Sequence, residues 1–135
     1  MKPKLTKVDY VILYVRDLEA SIAFYRDAIG LPHKFTDSGY AEFATEGTKF
    51  ALFDRSRVSG LIGREPADGG PSGEVAFMVD DVDAHAERFR AAGVQILSGP
   101  ESRSWGQRTL HFLDPDGNVV EFAQELSREE TQAEG

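Results

Sequence analysis

Two stretches of the chain alternate apolar and polar residues with the period of two that marks a half-buried strand: Val11, Leu13 and Val15 in the first, Val75, Phe77 and Val79 in the second. Each runs into an aspartate, Asp17 or Asp81, a residue suited to accept hydrogen bonds from the unpaired first-turn amides of a helix. Beyond the aspartate the apolar spacing widens to that of a helix. Leu18, Ile22, Tyr25 and Ile29 mark one buried helical face, Val82, Ala86 and Phe89 another, and Gly30 and Gly93 supply the stop signals. Tyr10 to Leu31 thus repeats as Glu74 to Val94 at an offset of 64, with one residue deleted near the end.

Short strand-like runs follow each helix: Lys34 to Phe35, Ala41 to Ala44 and Phe50 to Phe53, then Gln95 to Leu97, Gln107 to Leu113 and Val119 to Ala123. Each half therefore reads βαβββ. One helix covers only one face of such a sheet, so two modules must combine their sheets, in one chain or between chains. The expected fold is α+β, with two curved mixed sheets forming a cup and the helices on its outer face. Module one spans 8–56, a Gly- and Pro-rich linker without periodicity spans 57–72, module two spans 73–125, and a polar tail, expected to fray, spans 126–135. A chain of 135 residues is one domain's worth.

Composition narrows the chemistry. The chain has no cysteine, which removes disulfides, thiolate metal sites and cysteine nucleophiles and leaves His, carboxylates and Tyr. A formal charge of -8 repels nucleic acid and anionic lipid. No apolar run approaches the roughly 20 residues of a membrane span, and no secretory signal is evident at the N-terminus, so a cytoplasmic protein is expected. The expected partner is a small organic molecule, with neither nucleic acid nor membrane involved.

Three motifs, VRDLEASIAFYRDAIGL at 15–31, EVAFMVDDVDA at 74–84 and DPDGNVVEF at 114–122, resemble the vicinal-oxygen-chelate superfamily of glyoxalases, bleomycin-resistance proteins, fosfomycin-resistance enzymes and extradiol dioxygenases. The resemblance spans nearly all of Val8 to Glu125. It implies a site in which four strand residues hold one divalent cation, at positions that fall here on Tyr10, Glu74, Glu121 and Ala51 or its neighbour Leu52. Alanine and leucine cannot ligate, and a phenol with a pKa near 10 is a poor ligand at neutral pH, so two carboxylates remain.

His111 changes that picture if Leu113 pairs with Val119, because His111 then lies opposite Glu121 on one sheet face. A loop one residue shorter would turn it toward the helix. Resemblance to the fosfomycin-resistance enzymes favours the inward register. Glu74, His111 and Glu121 then form an imidazole-plus-two-carboxylate set able to hold Zn²⁺, Mn²⁺ or Fe²⁺, and a metal-free hydrogen-bonded His–Glu pair is the alternative. The parity that places Tyr10 and Glu74 inward places Ile12, Tyr14, Ala51, Phe53, Ala76, Met78 and Thr109 there too, with Trp105 at the mouth.

Two functions follow from the resemblance. In one, a homodimer without cofactor sequesters an aromatic or heterocyclic ligand, in the manner of antibiotic-resistance proteins. Residues 104–124, SWGQRTLHFLDPDGNVVEFAQ, are similar to the bleomycin-binding type, which needs no metal, and this reading is preferred on sequence. In the other, the chain is a divalent-metal enzyme, a glyoxalase-like lyase, extradiol-type dioxygenase or thiol transferase, with Glu121, His111 and Tyr10 as catalytic residues. Arg108, of outward parity, is expected to form a structural ion pair, and His33 and His85 are expected to be solvated.

Overall fold

The computed structural model describes residues 5–68 and 73–130. They belong to two compact units, Met1–Asp68 and Gly69–Gly135. Unit one contains β1 (Tyr10–Val15), α1 (Leu18–Ala23) continued by a π-helical turn (Phe24–Ile29), β2 (His33–Asp37), β3 (Tyr40–Phe43), β4 (Lys49–Asp54) and a short α2 (Val58–Ile62). Unit two contains β5 (Glu74–Met78), α3 (Val82–Ala92), β6 (Ile96–Ser102), β7 (Gln107–Leu113) and β8 (Val119–Glu125). The sheet orders are β1-β4-β3-β2 and β5-β8-β7-β6, with the first pair in each parallel and the others antiparallel. The two units are the same βαβββ design, and the α+β architecture is the one the repeat predicts.

The repeated punctuation has a repeated physical role. Asp17 Oδ1 accepts from the Ala20 amide at 3.0 Å, and Asp81 Oδ1 from the Ala84 amide at 3.1 Å. Each aspartate satisfies an orphan donor at a helix start. Gly30 and Gly93 end the helices in the left-handed region, at φ 99° and 78°, where a Cβ would be strained.

One face of each sheet is packed. In unit one, Tyr25 from the π-helical turn meets Phe50 and Phe43 at ring separations of 4.9 and 6.1 Å, beside buried Val15 and Leu52. In unit two, Phe89 from α3 meets Phe112 and Phe122 at 4.6 and 5.5 Å, beside buried Leu110 and Val120. Tilted and edge-to-face rings at these separations add to the area they bury. The opposite faces carry Tyr10, Ile12 and Tyr14 in β1, and Glu74, Ala76 and Met78 in β5, all exposed and alternating with less exposed neighbours.

Several expectations are corrected. The linker is not wholly irregular: Asp54 accepts from the Ser56 amide at 2.9 Å, starting a turn that leads into α2, whose Val58 is fully buried. A single apolar anchor suffices for a five-residue helix and leaves no periodic signature. Arg55 then donates to the Pro66 and Ala67 carbonyls and to Asp68. The expected fraying of the tail is corrected at its start, where Ser127 and Glu130 exchange hydrogen bonds at 2.9 and 3.1 Å in a reciprocal cap. Linker residues 69–72, tail residues 131–135 and the first four residues lie outside the described set.

Neither peripheral histidine is simply solvated. His33 opens β2 with Nε2 2.7 Å from Thr36 Oγ1, and the His85 ring packs edge-on against Phe122 at 5.0 Å. Burial and the nearby Arg88 push the His85 pKa down. Arg108 grips Asp83 with two bonds of 2.9 Å and donates to Ser102 Oγ at 3.1 Å, tying β7 to α3 in the structural role expected of it.

Candidate metal centre

Asp114 fixes the register on which the site depends. Its Oδ1 accepts from the Asp116 and Asn118 amides at 2.9 and 2.8 Å, and its Oδ2 from the Asn118 side chain. This turn sets Leu113 against Val119, and hence Leu110 against Phe122 and His111 against Glu121. Parallel pairing of β5 with β8 then sets Glu74 against Val119 and Ala76 against Glu121, so Glu74 projects beside Glu121. Three side chains distant in sequence thereby meet on the open face of one sheet.

His111 Nε2 lies 3.2 Å from Glu74 Oε2 and 3.6 Å from Glu121 Oε1. One ligand atom from each of the three residues falls within 4.8 Å of the others. A cation bound at about 2.1 Å imposes donor separations of about 3.0 to 3.4 Å, which the two imidazole–carboxylate distances approach. An imidazole nitrogen with two carboxylate oxygens suits Zn²⁺, Mn²⁺ or Fe²⁺ by donor type. The second ring nitrogen, Nδ1, stands 3.5 Å from Ser98 Oγ, and an outer partner of this kind orients a ligating imidazole.

The electrostatics of the cluster set one carboxylate against another. Burial pushes the Glu121 pKa up and Glu74 adds to the rise, while His111 and Arg103 oppose it. Arg103 is itself held by Nε–H donation to Thr109 Oγ1 at 3.0 Å and by Glu101 at 3.3 Å.

The remaining residues of the predicted set distribute between the units. Ala76, Met78 and Thr109 share the open face of unit two with the cluster. Thr109 is fully buried, and Trp105 is 68% exposed, donating from Nε1 to Gln107. At the far end of β5 from Glu74, four strand residues or about 13 Å away, Met78, Val79, Asp80, Gln124 and Glu125 line a cavity of about 220 Å³. Tyr10, Ile12, Tyr14, Ala51 and Phe53 lie in unit one, where Lys49 Nζ stands 5.0 Å from the Tyr10 ring centroid.

Sequence reasoning passed over Glu42, Tyr40 and Lys34 in unit one and Ser98 and Arg103 in unit two. Glu42 pairs with Ala51 as His111 pairs with Glu121. Transferring the β7–β8 register to the β3–β4 pair would have found it.

Residues 7–122 match the model of the Glyoxalase/Bleomycin resistance protein/Dioxygenase superfamily. The chain is 32% identical to a Bacillus subtilis protein, YraH, over 86% of this chain and 96% of the other. It is 28% identical to the metallothiol transferase FosB of Lysinibacillus sphaericus, over 85% and 79% respectively. The crystal structure of lactoylglutathione lyase from Agrobacterium tumefaciens superposes with a TM-score of 0.71 at 30% identity, covering 91% of this chain and 96% of that one.

Proposed function

The chain belongs to the glyoxalase/bleomycin resistance protein/dioxygenase superfamily, and from that premise we propose that it is a divalent-metal-dependent enzyme acting on a small organic molecule. Glu74, His111 and Glu121 are the protein ligands in this reading. The observation that carries it is their convergence, 3.2 and 3.6 Å from one imidazole nitrogen to two carboxylate oxygens. When bound, the metal supplies a Lewis acid for a substrate oxygen. An ion held by these three residues would keep room for that oxygen, as at catalytic rather than structural sites.

The chain's own residues do the rest. Ser98 orients the His111 ring, Thr109 and Arg103 support the neighbouring strand position, and Met78 and Trp105 offer apolar surface to the body of the substrate. The names of two similar proteins, a metallothiol transferase and a lactoylglutathione lyase, make thiol transfer or lyase chemistry the proposed reaction class.

One observation favours a second reading, a metal-free protein that sequesters an aromatic ligand. Trp105, in the same unit as the cluster, presents an exposed ring. The readings part on metal stoichiometry. Elemental analysis of protein purified without added metal, with calorimetric titration of Zn²⁺, Mn²⁺ and Fe²⁺, is expected to give one ion per chain and none in His111→Ala. Equal binding by the variant, or none by the parent, would leave the sequestering function. A homodimeric state in the cytoplasm is part of the proposal. Light scattering showing a monomer at micromolar concentration would contradict the dimer.

A further inference from the structure

The open face of unit one holds a buried charge that the metal reading does not use. Glu42 is 5% exposed, and its register places it with Phe35 and Ala51 on the face that carries Tyr10 and Ile12. A carboxylate withdrawn from water needs compensation. Its two partners among the described residues differ in kind. Tyr40 donates its phenolic hydrogen to Oε1 at 2.7 Å, a short and fixed bond. Lys34 reaches Oε2 only at 3.4 Å, from a side chain that is 56% exposed. The lysine contact is the longer of the two and comes from the solvent side, so another ammonium could take its place without leaving the buried carboxylate uncompensated.

The surroundings are those of an ammonium site. The Phe35 and Tyr40 rings stand 5.8 Å apart, and an ammonium group, that of Lys49, already rests 5.0 Å from the Tyr10 ring on the same face. Aromatic faces attract such cations. Of the roughly four acceptor positions of a carboxylate, Tyr40 and Lys34 engage two. The carboxyl of Glu42 is held below its ordinary range, chiefly by the Tyr40 hydrogen bond, with Lys34 and Lys49 adding to the effect.

We propose that this face of unit one is a second small-molecule subsite, one that takes a primary organic ammonium. The ligand's ammonium replaces Lys34 at Glu42 Oε2, Tyr40 keeps the carboxylate in place, and the hydrocarbon part lies against Phe35 and Tyr40. Lys34 is then a built-in competitor. A purely structural Tyr–Glu–Lys network makes no such demand of it.

The test is titration of the full ¹⁵N-labelled chain with phenethylamine at neutral pH in EDTA, following the backbone amides of residues 33–43. Saturable shifts are expected there. Lys34→Met is expected to tighten binding at least about threefold by removing the competitor. Glu42→Gln, or replacement of the probe by the neutral phenethyl alcohol, is expected to weaken it at least about tenfold. Unchanged or weaker binding by Lys34→Met, equal binding of the alcohol, or shifts that do not saturate would each overturn the proposal. The Lys34 and alcohol arms decide the matter even if Glu42→Gln does not fold. No metal is present in these titrations, so their failure leaves the metal reading intact, and absence of metal binding leaves this one intact.

Discussion

Tyr10, Glu42 and Ala51 occupy in unit one the register positions that Glu74, His111 and Glu121 occupy in unit two. The backbone is the same, and the chemistry is not. In unit two, two carboxylates and an imidazole crowd together, and burial with like charge pushes the Glu121 pKa up. In unit one a single carboxylate is surrounded by a phenol and lysines, and the Glu42 pKa is pushed down. One face sets carboxylate beside carboxylate, while the other sets its carboxylate beside lysines. A duplicated scaffold thus fixes where side chains point, and three residue differences decide which charges meet there.

The deepest shared feature, the aromatic layer beneath each helix, gives the largest expected effect. Phe43→Ala and Phe112→Ala should each cost about 3–5 kcal/mol in urea unfolding, because both rings are buried among aromatic neighbours. A loss below about 1 kcal/mol in one unit alone would show that the two halves are not equivalently built. Next comes the site itself. Glu121→Ala should weaken Mn²⁺ binding by at least about a hundredfold, while Glu42→Ala leaves it unchanged, and an equal effect of both in calorimetry would erase the distinction between the faces.

The opposed pKa shifts sharpen the comparison further. Glu42, whose folded pKa is depressed, contributes stability present above its unfolded value and lost as pH falls toward the folded one. Glu42→Gln should therefore melt lower than the parent at neutral pH and converge with it in acid. Glu121, whose folded pKa is raised, costs the metal-free protein stability as pH rises from the unfolded value through the folded one. Glu121→Gln should melt higher than the metal-free parent at neutral pH and likewise converge in acid. Melting curves in EDTA across this range check both, and shifts of the same sign would refute the contrast. The smallest effect is expected of Ser98→Ala, which removes a 3.5 Å contact to His111 Nδ1 and should weaken Mn²⁺ binding only a few-fold.

What could be read in the sequence follows from which interactions are local. Asp17 and Asp81 cap their own helices, Gly30 and Gly93 end them, and alternation along β1 and β5 requires only neighbouring residues. The position of His111 was legible because the β7–β8 turn is short and Asp114 closes it with its own side chain. Glu42 was not, because the β3–β4 connection from Ala44 to Thr48 carries no comparable motif. It is closed by Thr45, which donates to the Thr48 carbonyl and accepts from the Phe50 amide. The half-burial of His85 and the helix anchored by Val58 were hidden for a related reason: each depends on packing against residues remote in sequence.

The most direct test of the central claim is anomalous diffraction from a crystal soaked in Mn²⁺. The expected result is one strong peak in unit two, at about 2.2 Å from His111 Nε2 and from an oxygen of each of Glu74 and Glu121. A map with no peak among these three side chains, or with manganese elsewhere on the chain, would contradict it.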